Sequence, residues 1–367
     1  MNIAEVTTYK EGGVYTHVIE LIKKRKDDFI IITGNTKKEG FKIEENIKFF
    51  HIPCILSPWT IYFINPPKSY KKFKNILKKH KINLVHLHNP LFSFSNGLIF
   101  KPDRPIVMTA HYVIDLKGNK FISAIYKSII KLTTVIISKK VDKIICVNKN
   151  YIDTFQKWGV KKDKLIFIPN GVDTKKFSPG KSKIKKLYKD KKIILFFGRL
   201  HYQKNVDLLI KGFKKLNRKD AKLVIDGDGP DSDRLKKLSN NYPNIIFAGF
   251  VSDDELLDYL RGAYAMVLPS RGETASLTLM EAMACKLPVI ASNVGNAKRM
   301  LNNNRGILLK KYNENEIAEK MSNLLDNEEV AREMGERSLS FIRKNYSLEN
   351  TRKKIFKLYE DLITEYK

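Results

Sequence analysis

A single interruption in a repeating pattern constrains this 367-residue chain most. Short apolar runs alternate with longer stretches of helical periodicity: "NIAEV", "FIIITG", "NLVHLH", "PIVMTA", "KIICVN" and "LIFIPN". The alternation breaks at "NGVDTKKFSPGKSK", Asn170 to Lys183, which is polar, turn-rich and proline-containing. It restarts at "KKIILFFG" and continues through "KLVIDG", "IIFAGF", "AMVLPS" and "PVIAS". Apolar residues at i, i+3 and i+4 mark helices such as "VDLLIKGFKKL" from Val206 and "DDELLDYLRGA" from Asp253, the latter with Ser252 as N-cap. Strands alternating with helices imply parallel, doubly wound α/β sheets. The break implies two of them: one domain over residues 1–174, a second over 175–345, and a last helix over 346–367 that packs back on the first. Chains of this length ordinarily divide into domains. Such sheets bind ligands beyond the carboxyl ends of their strands, so a cleft between the domains is the expected site.

The net charge is +29. Residues 1–180 carry 32 Lys and Arg against 14 Asp and Glu, and residues 181–367 carry 36 against 25, so the excess leans toward the N-terminal half. That balance suits a nucleic acid, an acidic lipid or a phosphorylated substrate, or simply the solvated lysines of a Lys-rich proteome. A nucleic-acid module interleaves aromatics with basic residues on one face. No such module is visible, so no specific nucleic acid is expected. Cys54, Cys146 and Cys285 are far apart and form no C-x-x-C pair. A disulfide framework and a zinc site are not expected, and a reducing cytoplasm fits. "MNIAEV" carries no signal-peptide pattern. The apolar stretch from Ser123 is broken by Lys127 and Lys131, which predicts an amphipathic helix rather than a membrane span.

Four places carry chemistry. In "FFGRLHYQKN" a strand ends at Gly198, and Arg199 and Lys204 follow in the loop, a pair of cations suited to a diphosphate. In "SRGETASLTLMEAMACKLPVIAS" Glu273 falls in a loop, Ser276 caps a helix, and Glu281 sits in its second turn. The start of that helix leaves the N–H groups of Leu277 and Thr278 for an anion. A carboxylate on an otherwise apolar helix must be paired or face a polar cleft. In "EVTTYKEGGVYTHVIEL" Gly12 and Gly13 lead into a helix, where backbone can approach a ligand closely. In "PIVMTAHYV" His111 ends a buried-type strand and should point into the cleft. His86 and His88 share a strand face, but the sequence shows no carboxylate or cysteine partner, so they read as structural and no metal site is expected.

In their order these motifs resemble glycosyltransferase family 4, retaining sugar-nucleotide-dependent enzymes of the GT-B fold. The resemblance covers nearly the whole chain. It is carried by "IPNGVDTKKFSP", "FFGRLHYQKNVDLLIKGF", "LVIDGDGPD", "FAGFVSDDEL" and "ETASLTLMEAMACKLPVIAS". It implies two Rossmann-like domains, the first for the acceptor and the second for the nucleotide-sugar. It implies that Arg199 and Lys204 hold the donor diphosphate, that Glu273 contacts sugar hydroxyls and that Glu281 contacts the ribose. Backbone at Leu277 and Thr278, behind Ser276, would touch the diphosphate. Phe250 and Val251 would lie at the base, Gly13 near the phosphates or acceptor, and His111 near the donor sugar. The implied catalytic set is His111, Arg199, Lys204 and Glu273. The implied reaction moves a hexose-type sugar from a UDP- or GDP-sugar to a hydroxyl of a glycan or lipid-linked acceptor. The phosphate itself takes the acceptor proton, with no protein nucleophile, metal or other cofactor. A sugar-nucleotide epimerase of the same fold is the alternative, and the glutamate pair with Arg199 and Lys204 favours transfer.

The chain departs from the family pattern at Thr274-Ala275-Ser276, where Gly-Phe-Gly is common, and at Lys286, where Gly is common. It also has Gly295-Asn296 for Gly-Gly, Arg299 for an acidic residue and Tyr112 for Asp. These changes leave the donor sugar open. Finally, "PPKSYKKFKNILKKHK" carries seven lysines and no acid, with Tyr70, Phe73, Ile76 and Leu77 on one helical face just after "PWTIYFI". Residues 58–81 are thus expected either to meet an anionic membrane surface, as in a peripheral enzyme on the cytoplasmic leaflet, or to form an ordinary sheet-covering helix with a solvated lysine face.

Overall fold

The computed structural model describes residues 1–7, 13–23, 27–35, 40–44, 47–53, 55–56, 63–64, 67–88, 103–112, 120–188, 191–239 and 242–366. They form two compact units. The first gathers the described residues up to Asn170 together with Thr351 onward, and the second runs from Gly171 to Asn350.

The first unit begins β1 (Asn2–Thr7), α1 (Gly13–Ile22), β2 (Asp28–Asn35), β3 (Gly40–Glu44), β4 (Ile47–Pro53) and the short pair β5 (Ile55–Leu56) and β6 (Phe63–Ile64). It continues α2 (Pro67–Lys79), β7 (Leu84–His88), β8 (Ile106–Ala110), α3 (Lys120–Ser138), β9 (Lys143–Cys146), α4 (Asn150–Lys157) and β10 (Leu165–Phe167). Its main sheet has the order β10-β9-β8-β7-β1-β2-β4-β3. All neighbours are parallel except β3 and β4, a hairpin that the sequence reading does not anticipate. Every residue of β7 and β8 is buried, as expected of strands covered on both faces.

The second unit runs α5 (Ile184–Leu187), β11 (Lys192–Phe197), α6 (Val206–Leu216), β12 (Ala221–Asp226), α7 (Ser232–Ser239), β13 (Ile245–Gly249), α8 (Asp253–Gly262) and β14 (Ala265–Leu268). Then come α9 (Leu277–Ala284), β15 (Val289–Ser292), α10 (Ala297–Leu301), β16 (Ile307–Leu309), α11 (Glu314–Leu325) and α12 (Glu328–Asn345). Its six parallel strands lie in the order β13-β12-β11-β14-β15-β16. The order reverses between β11 and β14, so the loops leaving those two strands diverge and open a crevice.

The last helix, α13 (Leu348–Glu365), joins the first unit from Thr351. Its Ile355, Phe356, Tyr359 and Leu362 are buried with Leu21 and Ile22 of α1 and with Ile3 and Ile31 of the sheet. Arg352 donates to the carbonyls of Leu21 at 3.0 Å and Lys23 at 3.2 Å, and to that of Glu20. A cation thus satisfies the exposed carbonyls at the end of α1. Helices α2, α3 and α4 cover the opposite sheet face, with Phe73, Ile130, Ile137 and Phe155 packed on Ala4 and Val6.

For residues 58–81 this packing bears out the sheet-covering helix. Residues 57–62 and 65–66 and the side chain of Tyr70 lie outside the described residues. Of the predicted apolar face, Phe73, Ile76 and Leu77 are buried. A crossover helix must cover its sheet, so that face is turned inward and the lysine face is what solvent sees. Among the described residues no helix is long and apolar enough to cross a membrane.

Candidate active site

In the second unit, β11 and β14 flank the order reversal, and their loops are tied together. Gly198 leaves β11 at φ +137°, with its N–H donating to the Asp226 carbonyl at 3.0 Å. Leu200 is buried and pins the loop, which leaves Arg199 exposed and without an ion pair to any described residue. A short turn at Tyr202–Lys204 is capped by His201, whose Nδ1 accepts from the Gln203 N–H at 3.2 Å. Asn205 closes the turn at φ +57°, and its amide donates to the Pro269 carbonyl at 3.1 Å. Gln203 grips the facing loop twice: its side chain donates to the Gly272 carbonyl, and its carbonyl accepts from the Arg271 N–H, both at 2.7 Å.

The result is an ion pair. Lys204 Nζ donates to Glu273 Oε1 at 2.7 Å, and Ser270 Oγ donates to the same oxygen at 2.7 Å. The two side chains are only 20% and 13% exposed, so water and salt screen them weakly. Glu273 Oε2 accepts from no described residue. A Cβ on Gly295, at φ +57°, would come within 2.5 Å of the Glu273 carbonyl, so glycine is what lets that backbone support the loop.

Helix α9 starts at the end of this loop. Ser276 Oγ accepts from the Leu279 N–H at 3.3 Å, and the Ser276 carbonyl accepts from Met280. The N–H groups of Leu277 and Thr278 donate to no described group. They are open donors at the positive end of a helix dipole. One turn further, Glu281 is half-buried and has no hydrogen bond or ion pair to a described residue. Burial pushes its carboxyl up to about 7, with Lys176 acting against the shift and Asp253 with it. A carboxylate so placed is costly unless something supplies donors.

Phe250 follows β13 and is 88% exposed. The capping box of Ser252 and Glu255 fixes the turn beneath it, and the neighbouring Val251 backbone bonds to the Asp226 carboxyl. Behind Glu273 lies a cavity of about 10 Å3, lined in part by Ser276, Ser292 and Asn296. Ser292 Oγ and both amide atoms of Asn296 are buried and have no hydrogen-bond partner among the described residues. A space of that size suits one water or hydroxyl.

The first unit holds a different cluster. Glu5 is paired with His86 and His88 with Thr109 across the ladders of β1, β7 and β8, and all four are buried. Glu5 is the carboxylate that the sequence does not reveal for His86 and His88. Its Oε2 lies 2.8 Å from His88 Nε2 and 3.1 Å from His86 Nδ1, and its Oε1 accepts from Tyr359 Oη at 3.0 Å. His86 Nε2 meets Thr109 Oγ1 at 2.6 Å. The Glu5, His86 and His88 ligand atoms lie within 4.8 Å of one another, a spacing that a metal ion could bridge. Hydrogen bonds already engage each of those atoms, so the cluster is closed as it stands.

Burial pushes the Glu5 carboxyl up, but the His86 charge and hydrogen bonds from both histidines hold it well below the usual carboxylate range. Burial, reinforced by His86, takes His88 down to about 4 against the pull of Glu5. Burial and the neighbouring histidines also hold His111 well below its ordinary value. These states set the protons. Ionised Glu5 only accepts, so neutral His88 carries its proton on Nε2 and accepts at Nδ1. His111 Nε2 lies 3.1 Å from that Nδ1 and donates to it.

The chain matches the family model described as Glycosyltransferase Family 4 over residues 11–176 and that of Glycosyl transferases group 1 over residues 178–340. It is 31% identical to an uncharacterized glycosyltransferase of Methanocaldococcus jannaschii over 362 residues, 96% of this chain and 95% of that one. The chain belongs to glycosyltransferase family 4. This glycosyltransferase is also 27% identical to the UDP-Gal:alpha-D-GlcNAc-diphosphoundecaprenol alpha-1,3-galactosyltransferase of Escherichia coli, over 77% of this chain and 76% of the relative. Its fold matches that of sucrose-phosphate synthase from Thermosynechococcus elongatus at a TM-score of 0.84, with 19% identity and 99% of each chain covered. The architecture is GT-B.

Of the residues predicted for the glycosyltransferase site, Arg199, Lys204, Phe250, Val251, Glu273, Ser276, Leu277, Thr278 and Glu281 all lie in the second unit, in the segments following β11, β13 and β14. Gly13, exposed at the start of α1, and His111, after β8, belong to the first. The pairing of Lys204 with Glu273 is new: the residues expected at the phosphate and at the sugar hold each other. Sequence reading misses Ser270, Gln203 and Asn205, because polar residues in loops are ordinary. It also misses Glu5, although one charge inside the apolar run "NIAEV" is a signal. Tyr112, a departure from the family pattern, is structural: its hydroxyl meets Thr134 of α3 at 2.7 Å, and its carbonyl accepts from Tyr151 at 2.9 Å.

Proposed function

We propose that this glycosyltransferase moves a hexose-type sugar, with retention, from a UDP- or GDP-sugar to a hydroxyl of a lipid-linked or glycan acceptor. The observation that carries the donor reading is Glu281, a half-buried carboxylate without a partner, one turn beyond two open helix N–H groups. Ribose hydroxyls would supply the missing donors. The Leu277 and Thr278 N–H groups would meet the diphosphate, and Phe250 would offer its exposed ring to the base. Arg199 and Lys204 would neutralise the charge that develops as the C1–phosphate bond breaks. The acceptor oxygen would bond to C1 on the same face, and its proton would pass to the leaving phosphate. Glu273, released in part from Lys204, would orient sugar hydroxyls through Oε2. His111 would lie near the donor sugar, as the family pattern implies. Two cations suffice for the phosphate charge, so the reading needs no metal. A UDP-sugar donor and a lipid-linked acceptor are the classes in the name of the Escherichia coli relative.

A thermal-shift screen of UDP-, GDP- and ADP-sugars tests the donor. Wild type should be stabilised by one of them, and Glu281→Ala should lose that gain. Stabilisation by none, or an equal gain in the variant, defeats the donor assignment. The anomeric configuration of the product tests retention, and an inverted product would rule it out. Turnover should persist in EDTA.

A further inference from the structure

We propose that α3 docks the first unit on an anionic lipid bilayer through an exposed aliphatic stripe. Ile125, Ile129, Leu132 and Ile136 are 47%, 37%, 63% and 54% exposed. They recur at i, i+4, i+7 and i+11, so they form one line about 16 Å long on the solvent side of the helix. The opposite side of α3 is consumed by the core, where Ile130, Thr134 and Ile137 are buried. An isolated exposed leucine needs no explanation, but a continuous line of four large aliphatics does.

The surrounding charge says what covers it. Lys139 and Lys140, just after α3, are exposed beside the C-terminal end of the stripe, and Lys127 and Lys131 are exposed on the far flanks of the helix. Helix α2 packs on the same face of the sheet and exposes Lys71, Lys74, Lys78 and Lys79. Neither helix contains an acidic residue. A second copy of this chain meeting the stripe face to face would oppose lysine to lysine, which is repulsive. A protein partner is disfavoured by composition: interface centres are rich in Trp, Tyr and Arg and poor in Lys. Aliphatic side chains set among lysines suit the headgroup boundary of an anionic membrane, where the chains enter the acyl region and the ammonium groups meet phosphate. The membrane-facing element is thus α3, with α2 supplying field rather than insertion.

Co-sedimentation of the full chain with vesicles tests this, using equal parts phosphatidylglycerol and phosphatidylcholine against phosphatidylcholine alone. Wild type should bind the anionic vesicles at low salt and lose affinity as salt rises. The variant Leu132→Glu/Ile136→Glu changes only exposed positions and should bind at least about tenfold more weakly. Replacing Lys71, Lys74, Lys78 and Lys79 by Gln should weaken binding and flatten its salt dependence. Donor-induced thermal shifts should be unchanged in both variants, which reads folding and donor binding separately from docking. The proposal is overturned if wild type ignores anionic vesicles at low salt, or if the stripe variant binds them as wild type does. It is also overturned if the stripe variant converts a dimer to a monomer while vesicle binding stays the same.

Discussion

The two units treat buried charge in opposite ways. In the first, Glu5 has three donors in Tyr359, His86 and His88, and all four side chains are buried, Tyr359 reaching in from α13. In the second, Glu281 is half-buried with no donor, and Glu273 has one oxygen engaged and one open. Closed polarity orients: it fixes which nitrogen of His111 carries the proton. Open polarity waits for a ligand, because the donors missing from the protein must come from elsewhere. The contrast has a topological cause. Glu5 lies mid-strand in the centre of a covered sheet, whereas Glu273 and Glu281 follow the end of a strand at the order reversal.

The sharpest way to break this comparison is to open the closed cluster. Glu5→Ala strands two histidines and a tyrosine and should cost about 3–5 kcal/mol of stability in denaturant unfolding. If the cost is below about 1 kcal/mol, the cluster is not the sealed network described. The second change addresses the open pair. Lys204→Ala should lower kcat by a factor on the order of 10²–10³, with a stability loss of about 1–2 kcal/mol, smaller than that of Glu5→Ala because Ser270 still donates to Glu273 and the site is partly open. A stability loss as large as that of Glu5→Ala would erase the distinction between the units.

A smaller effect is expected at Glu281. Its alanine variant should weaken donor binding by about 1.5–3 kcal/mol in calorimetry while leaving the fold as stable or more so, because an unpartnered carboxylate is removed. Its pH dependence has a definite sign. The folded carboxyl is raised from 4.5 to about 7, so ionising it opposes folding, and stability falls as pH rises through that window. Ribose hydroxyls favour the ionised form, so donor affinity should rise between those values. Glu281→Gln should flatten both slopes, and unchanged slopes would show that another group titrates. The smallest change concerns Lys286, which ends α9 at φ +66° where the family commonly has glycine. Lys286→Gly relieves a left-handed strain and loses a partly exposed ion pair with Glu336, for a net gain of about 0.5 kcal/mol in chemical denaturation. A loss instead would mean that the ion pair outweighs the strain.

Much of the architecture was legible because burial on both faces writes itself as apolar runs. The strands that became β1, β7, β8, β11, β12 and β14 are such runs, and the break after Asn170 falls where they pause. The hairpin β3–β4 was not legible, since "GFKIE" mixes polar and apolar residues as an edge strand does. The cap at Ser276 and the place of Glu281 in α9 followed from local rules of helix starts. Which side of an amphipathic helix is covered did not. Periodicity marked both α2 and α3 as amphipathic, yet α2 buries its apolar face, while α3 buries one set of isoleucines and exposes another. A helix with apolar residues on two faces has only one sheet to cover, and packing decides which face is left over. The same holds for charge: sequence determined that Lys204, Glu273, His88 and Glu5 exist at their positions. Only tertiary structure decided that Lys204 meets Glu273 and that Glu5 meets His88, because those pairs join residues 69 and 83 apart that parallel strands bring side by side.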